Sequence, residues 1–481
     1  MDNIVIYGAG IRGKRICNIL KDTEIEILAV IDSDPLKWGS QIDEHIVYSP
    51  DKIKDYIDCK VCITIENQVA KEEIRNTIQK NYNYNLKNEI LYFELIFEVY
   101  KSKIKLKREE VKYGICEKRE WNVLFDCYNG LGLGGIEAWT LNVCEALLNK
   151  SYKNTYIICD MGKYDVSSKV EGKILYTHAQ NKNAFDRKSV ENILQVLFSK
   201  MPCKIVTSQI NEVMLAGVLM KRIYPDMIEI ISVMHNGDER TYEQYKSISN
   251  YVDVLIGVSE EIRYDMIARG IEPHKIYAMT CPFDCDKEIT RSYSVDITKP
   301  IRIGYAGRID KVGKQQKRMD LLLKFARGLD LKNINFIFEI AGDGPARTEM
   351  EAFVHANKLE NKVQFLGTIN RAKIGDFWKR QDIFVNFADY EGRCISKLEA
   401  MANGAVPITT NTIGTKEDIE DGVNGFIVTL GDYETMIEKV IYLEAHRERL
   451  KEMGMLAHER IYPKSKMENH IAFWEKRLDL K

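Results

Sequence analysis

The sequence predicts an α/β protein made of three Rossmann-like units, and three observations carry that expectation. Short apolar runs alternate with amphipathic Lys/Glu-rich stretches along nearly the whole chain, which is the sequence form of parallel βαβ sheets. The 481 residues exceed the roughly 100–200 that one hydrophobic core usually serves. The alternation also dissolves and restarts, once before Trp121 and again at Pro300.

In the first unit, residues 1–98, the runs NIVIY, IEILAVI, KVCITI and EILYF read as strands, with IRGKRICNILKD and KEEIRNTIQKN as helices between them. Residues 99–120 read as a basic linker, since Lys101 to Glu120 holds eight basic and four acidic residues without periodicity. The second unit, 121–295, has strands expected at NVLFDCY, TYIICD, KIVTS, IEIISVM and VDVLIGVS, with its first helix starting near Glu137. The third, 296–450, has them at IRIGYAG, FIFEIAG, VQFLG, IFVNFA, VPITT and FIVT. Residues 451–481 form a helical tail in which Ile471, Trp474 and Leu478 recur at helical spacing, so this helix should pack against another surface.

Composition narrows the function. With 69 basic and 71 acidic residues the chain lacks the charge of a dedicated nucleic-acid binder. Eleven scattered cysteines suit reduced thiols in a cytosolic protein, and the lone Cys59-x-x-Cys62 lies at a strand entry where a structural role is expected. An apolar strand follows Met1 almost at once, with no secretion signal. No window reaches the roughly 18–20 apolar residues of a membrane span, so a cytoplasmic location is expected, with any membrane contact peripheral and at the inner face.

The densest chemistry is in DYEGRCISKLEAMANGAVPITT. Glu391 and Gly392 precede a short helix marked by Ile395, Leu398, Met401 and Ala402, with Glu399 on it and Gly404 as its left-handed cap. A helix start offers free N–H groups and partial positive charge to a diphosphate, and nearby carboxylates can accept hydrogen bonds from sugar hydroxyls. Two glutamates alone could equally decorate a solvated helix start. Their company favours the functional reading: Arg308 follows a strand and Lys317 opens the next helix, as suits phosphate neutralisation. The glycines of Gly342-Asp343-Gly344-Pro345 and Phe365-Leu366-Gly367 permit close ligand approach at strand exits.

These motifs resemble glycosyltransferase family 4, retaining enzymes of the GT-B fold. They comprise Gly307-Arg308 with Lys317-Arg318, the GDGP run, VQFLG, the Glu391-x7-Glu399 element with EAMANGAVPI, Gly414, and the turn from Asp421 to Phe426. The resemblance implies a GT-B architecture, two Rossmann-like domains facing across a cleft, with the third small Rossmann-like domain in front. It implies transfer of a sugar from a nucleotide-diphosphate sugar to a glycan, lipid-linked or protein-linked acceptor in bacterial surface polysaccharide or glycoconjugate synthesis. Arg308 and Lys317 would balance the diphosphate, Glu399 bind the ribose, and Glu391 hold sugar hydroxyls. The backbone of Gly392, Arg393, Cys394, Ile395 and Ser396 would line sugar and phosphate. No metal and no cofactor beyond the donor is expected, nor a protein general base, since in this family the leaving phosphate is usually held to take the acceptor proton. Two departures stand out: the loop from Ile309 to Gln316 is long, leaving Lys311 and Lys314 as rivals of Lys317, and Arg318 replaces a frequent glycine.

In the second unit, Gly134 and Gly135 match the family's glycine loop beside the donor, and Glu137 its GG-x-E pattern. His235, in SVMHN, matches a histidine that faces sugar and acceptor in many relatives, although a lone histidine is more often structural. Ser259 and Glu260 match the last strand and helix of that half, which puts the hinge beyond Phe283.

In the first unit, Gly8-x-Gly10-x-x-Gly13 follows a strand and opens a helix, and Asp32 ends the next strand as a ribose ligand would. The run is similar to a small nucleotide-sugar-binding domain found before sugar acyltransferases. It could hold NAD or a nucleotide sugar, or act as a docking scaffold. Tyr56-x-x-x-Lys60 and Asp32-Ser33-Asp34 read as chance matches. Two other functions compete: a catalytically silent GT-B partner or chaperone, which the set of Arg308, Lys317, Glu391 and Glu399 argues against, and an NAD-dependent sugar oxidoreductase using residues 1–98. The alternating Lys101, Lys103, Lys105 and Lys107 could touch anionic lipid or lie in solvent.

Overall fold

A computed structural model of the chain describes all residues except 1–2, 22, 105–119, 129, 132–133, 160–161, 163–165, 178–184, 284, 312–315 and 479–481. Lys105, Lys107 and Lys314 therefore lie outside the described residues, as does most of the basic segment.

Three sheets follow one another, each with helices between its strands. The first has five strands, in the order Gln41–Ile42, His45–Tyr48, Glu26–Ile31, Asn3–Tyr7 and Val61–Ile63. All its pairings are parallel except the first. The second has seven parallel strands, Ile276–Ala278, Val254–Gly257, Ile228–Met234, Cys203–Thr207, Asn122–Cys127, Thr155–Cys159 and Ile174–Tyr176. The third has six parallel strands, Val363–Gly367, Phe336–Ala341, Ile301–Ala306, Ile383–Asn386, Val406–Thr410 and Phe426–Val428. All six were expected. The second sheet gains a short strand at each edge, and the first gains the antiparallel pair at residues 41–48.

One expected strand is a helix start. EILYF meets the sheet only by an isolated bridge of Glu89 to Val61, in which the Ile90 amide donates to the Val61 carbonyl at 2.9 Å, and the chain then turns into the helix Tyr92–Lys103. An apolar run this short cannot distinguish a strand from a buried helical turn. The helix crosses the expected boundary at residue 98 and buries Leu95, Ile96, Phe97, Val99 and Tyr100. Phe97 meets Tyr251 edge-on at 5.3 Å, Tyr251 donates to Glu98 at 2.6 Å, and the Tyr100 hydroxyl donates to the Phe185 carbonyl. One face of the first sheet consequently shares a continuous apolar core with the second sheet, its other face has a separate core, and the third sheet builds its own. The first unit is packed into the second, and is not a bead on a tether.

The tail crosses back. After the helix Arg447–Ser465 beside the third sheet, the helix Met467–Leu478 docks on the second unit. Ile471, Trp474 and Leu478 are buried. Trp474 lies 5.9 Å from Phe125 and 5.8 Å from Trp139, both edge-on, and Glu475 accepts from the Tyr152 hydroxyl at 2.6 Å.

Candidate active site in the cleft between the second and third units

Two helices begin at opposite walls of one cleft. On the second unit the helix Gly135–Asn149 starts from Gly134, and on the third the helix Ile395–Ala402 starts from Cys394, neither with a side-chain cap. They nearly touch: a Cβ on Gly135 would stand 4.0 Å from the Ile395 side chain. Their positive ends and unspent N–H groups face the same space, which favours an anion. The Glu137 carboxylate folds back over Gly134, 2.1 Å from where a Cβ would stand, so a side chain there would displace it. Burial raises the Glu137 pKa, only partly opposed by Arg308 across the cleft.

Cations complete the site. Lys317 forms an ion pair with Glu391, both largely buried. Burial pulls the Lys317 pKa down, but the adjacent Glu391 carboxylate more than offsets this and holds it above the ordinary lysine value. Arg308 stays half exposed on the rim, 3.0 Å from Asp310 and 3.2 Å from Gln316. The next residue, Arg318, occupies the left-handed region at φ 49°, ψ 54°, the conformation for which glycine is favoured. Its guanidinium is held by Asp320 at 3.0 Å and Asp389 at 3.2 Å. At the far wall, Gly342 has φ 142°, and a Cβ there would meet the Gly307 carbonyl at 1.9 Å.

Between helix and strand, Ser396 donates to the Ala306 carbonyl at 2.8 Å, so its hydroxyl braces the loop. The Arg393 side chain turns away into a buried ionic cluster, 2.7 Å from Glu417 and paired with Asp418, which also lies 3.0 Å from Lys397. Burial works against the Asp418 charge, yet Lys397, Arg393 and Lys464 bring its pKa down to about 2. Gly392 lies against the opposite half, because a Cβ would meet the His235 carbonyl at 2.1 Å. The His235 ring contacts Ser208 Oγ at 3.2 Å and Trp139 edge-on at 5.0 Å. Burial lowers its pKa to about 3, so the ring is neutral at working pH.

The resulting cleft, about 420 Å³, is lined by Gly134, Gly135, His235, Arg308, Lys317, Gly342, Glu391, Arg393, Cys394, Ile395, Ser396 and Glu399. Gly392 lies at the contact of the halves, and Gly367 one layer behind, its carbonyl accepting from the Gly342 amide at 2.7 Å. Gln209, Asn236, Cys281 and Thr368 also line it and were not singled out from sequence. Gln209, Asn236 and Thr368 each follow the end of a strand closely, a positional signal that finds them. Cys281 carries none. Among the described residues, no group of three or more His, Cys, Asp or Glu is placed to hold a metal ion.

Of the three glycines of the first unit's motif, Gly8 and Gly13 serve close packing. A Cβ on Gly13 would meet the Gly8 carbonyl at 1.9 Å, Gly8 has φ 121°, and Gly10 faces open space at the start of the helix Ile11–Leu20. Asp32 is already engaged by the chain itself: Oδ2 accepts from the Ala9 amide at 2.6 Å and Lys37 at 3.0 Å, Oδ1 from the Asp34 amide at 2.8 Å. A ribose would have to compete with these bonds. Tyr56 donates to the Leu28 carbonyl at 3.3 Å, and Cys62 is fully buried, its pKa pushed to about 12 by burial.

The comparisons fit this geometry. Residues 286–460 match the family model described as Glycosyl transferases group 1, and residues 1–90 one described as C2185-like, N-terminal. The fold is GT-B. A mutant of S. aureus TarM in complex with fondaparinux, alpha-GlcNAc-glycerol and UDP superposes with TM-score 0.61 at 12% identity, covering 74% of this chain and 99% of that one. Anabaena Alr3699/HepE in complex with UDP and glucose gives 0.60 at 15% identity, covering 75% of this chain and 100% of that one. In sequence the chain is 22% identical over 276 residues to N-acetyl-alpha-D-glucosaminyl L-malate synthase of Bacillus anthracis, covering 54% of this chain and 70% of the relative. It is 28% identical over 162 residues to poly(ribitol-phosphate) alpha-N-acetylglucosaminyltransferase of Staphylococcus aureus, covering 33% of this chain and 32% of that relative. These likenesses support glycosyl transfer as the general activity.

Proposed function

We propose that the protein is a retaining glycosyltransferase that moves a sugar, N-acetylglucosamine being the first to test, from a uridine-diphosphate donor to a bacterial glycan, lipid-linked or protein-linked acceptor. The observation that carries this reading is the convergence of two uncapped helix N-termini, Lys317 and Arg308 on a cleft that also holds Glu391 and Glu399. Negative charge grows on the departing diphosphate as the glycosidic bond breaks, and pre-placed cations and N–H groups favour that state over the ground state. Glu391 and Glu399 receive the hydroxyls of sugar and ribose.

Of the cleft groups, His235 is a weak base because burial lowers its pKa to about 3, and the Glu391 carboxylate is bound to Lys317. On this reading, as the resemblance implies, the acceptor proton passes to the leaving phosphate oxygen, on the face from which it departs, and configuration is retained. The positive groups serve the diphosphate without a metal ion. The alpha products in the names of both sequence relatives fit this outcome for an alpha-linked donor.

A panel of UDP-, GDP- and ADP-sugars, followed by NMR of the product anomer, tests the proposal. Release of UDP from UDP-N-acetylglucosamine with an alpha product is expected. No nucleoside diphosphate released from any donor, or an inverted product, would overturn it.

A further inference from the structure

Glu243 joins the first unit to the cleft. It lies on the helix Glu239–Ile248, which begins four residues beyond His235. Three residues of a first-unit helix, Gln68–Tyr82, converge on its carboxylate: Lys71 at 2.7 Å, Arg75 at 2.6 Å and Gln68 at 3.0 Å. Lys71 is only 3% exposed, so its ammonium depends on this partner. Arg75 is fixed in turn by Glu89 at 2.7 and 2.8 Å. Burial pushes the Glu243 pKa up, but Lys71, Arg75 and Gln68 outweigh it and hold the carboxyl below the usual glutamate range.

The same helix grips the strand that ends just before His235. Two residues after Glu243, the buried Tyr245 donates its hydroxyl to the Val233 carbonyl. On the other side the His235–Gly237 loop is pressed against the third unit, where a Cβ on Gly392 would meet the His235 carbonyl at 2.1 Å and one on Gly237 would meet Ile413 at 2.2 Å. The loop is thus held between a helix clamped by the first unit and the opposite wall of the cleft.

We propose that Glu243 is a positioning residue: through the Lys71, Arg75 and Gln68 clamp, the first unit fixes the helix Glu239–Ile248 and with it His235 and Asn236 on the cleft wall. The first unit thereby shapes the wall facing the transferred sugar without any ligand of its own. The kinetic part of this inference rests on the glycosyl-transfer reading, whereas the structural part does not.

The test uses the full chain and three variants. Glu243→Gln leaves Lys71 buried opposite a neutral amide. Lys71→Met with Glu243→Gln removes both charges at nearly constant volume, so it guards against misfolding. Glu339→Gln perturbs a comparable buried hub in the third sheet, where Glu339 binds Arg302, Arg380 and Gln381. Both Glu243 variants are expected to speed amide exchange across residues 235–248 at least tenfold. They should lower kcat for UDP-N-acetylglucosamine hydrolysis about tenfold, with its KM and the affinity for UDP within twofold of wild type. Glu339→Gln should change neither exchange at 235–248 nor that kcat. Unchanged exchange in folded Glu243 variants, or an equal effect of Glu339→Gln, overturns the proposal. If the wild type hydrolyses no UDP-N-acetylglucosamine, that failure belongs to the donor assignment, and amide exchange alone decides the positioning role.

Discussion

Glu391→Gln is expected to strengthen UDP binding while weakening transfer. In the cleft Glu391 pairs with Lys317, so a diphosphate must approach an ammonium whose charge is already balanced and a carboxylate that repels it. A phosphate seated on the Lys317 ammonium would lie roughly 6 Å from the carboxylate. At an effective dielectric of about 20 one unit charge at that distance contributes roughly 2–3 kcal/mol, and screening by the open cleft reduces this to about 1–2 kcal/mol. A factor of ten corresponds to about 1.4 kcal/mol, so UDP affinity should rise roughly five- to thirtyfold. The glutamine keeps the shape and can still accept one bond from Lys317. A carboxylate that holds sugar hydroxyls in the transition state is nevertheless lost, and kcat should fall at least a hundredfold. Isothermal calorimetry with UDP and initial-rate kinetics with the sugar donor measure the two effects separately. Unchanged or weaker UDP binding in a folded Glu391→Gln variant refutes the electrostatic reasoning, whatever happens to the rate.

Two further substitutions probe other parts of the molecule. Gly392→Ala inserts a methyl 2.1 Å from the His235 carbonyl, so the halves must part by roughly 1 Å; transfer should fall about a hundredfold, and a rate near wild type would show that the halves need not meet there. Glu212, 4% exposed, has its pKa raised to about 7 by burial, as Asp126 has to about 6. Between roughly pH 4 and 7 the folded state then binds more protons at Glu212 than the unfolded chain, so this contribution to stability is fully present below the unfolded pKa and fades as pH rises through 7. Glu212→Gln should consequently stabilise by about 2–3 kcal/mol at pH 8 and by little at pH 5, and denaturant melts giving an equal shift at both pH values would contradict the assignment.

The legible and illegible parts of the molecule divide by physical scale. Strands such as Ile301–Ala306 and Val406–Thr410 are buried apolar runs with glycine or threonine exits, and such runs announce themselves. Gln41–Ile42, Ile174–Tyr176 and Ile276–Ala278 are two or three residues long at sheet edges, too short to show a period. Residues such as Glu391, Lys317 and Gly134 could be named from motif and spacing, and all three line one cleft. Their partners could not. Lys317 meets a carboxylate 74 positions away, Arg393 turns to Asp418 behind the cleft, and Arg75 reaches Glu243 across 168 positions. Such pairings depend on how finished units pack, which no local pattern encodes. Arg318 is the instructive intermediate case: its departure from glycine was visible, and its backbone at φ 49° supplies the reason glycine suits that position.

The returning tail gives the cleft its mechanics. Residues 286–299, which lead from the second unit into the third, and the helix Arg447–Ser465 run side by side: His458 contacts the Asp286 carbonyl at 2.9 Å, a Cβ on Gly454 would meet the Tyr293 hydroxyl at 2.5 Å, and Arg447 donates to the Lys299 carbonyl at 3.0 Å. The two crossings lie together along one edge, and Trp474 packs the second against the opposite half, so sliding of one half past the other would have to break these contacts. Any turning of one half about this edge has to bend both crossings together, which ties the position of the Ile395 helix start to that of Gly135.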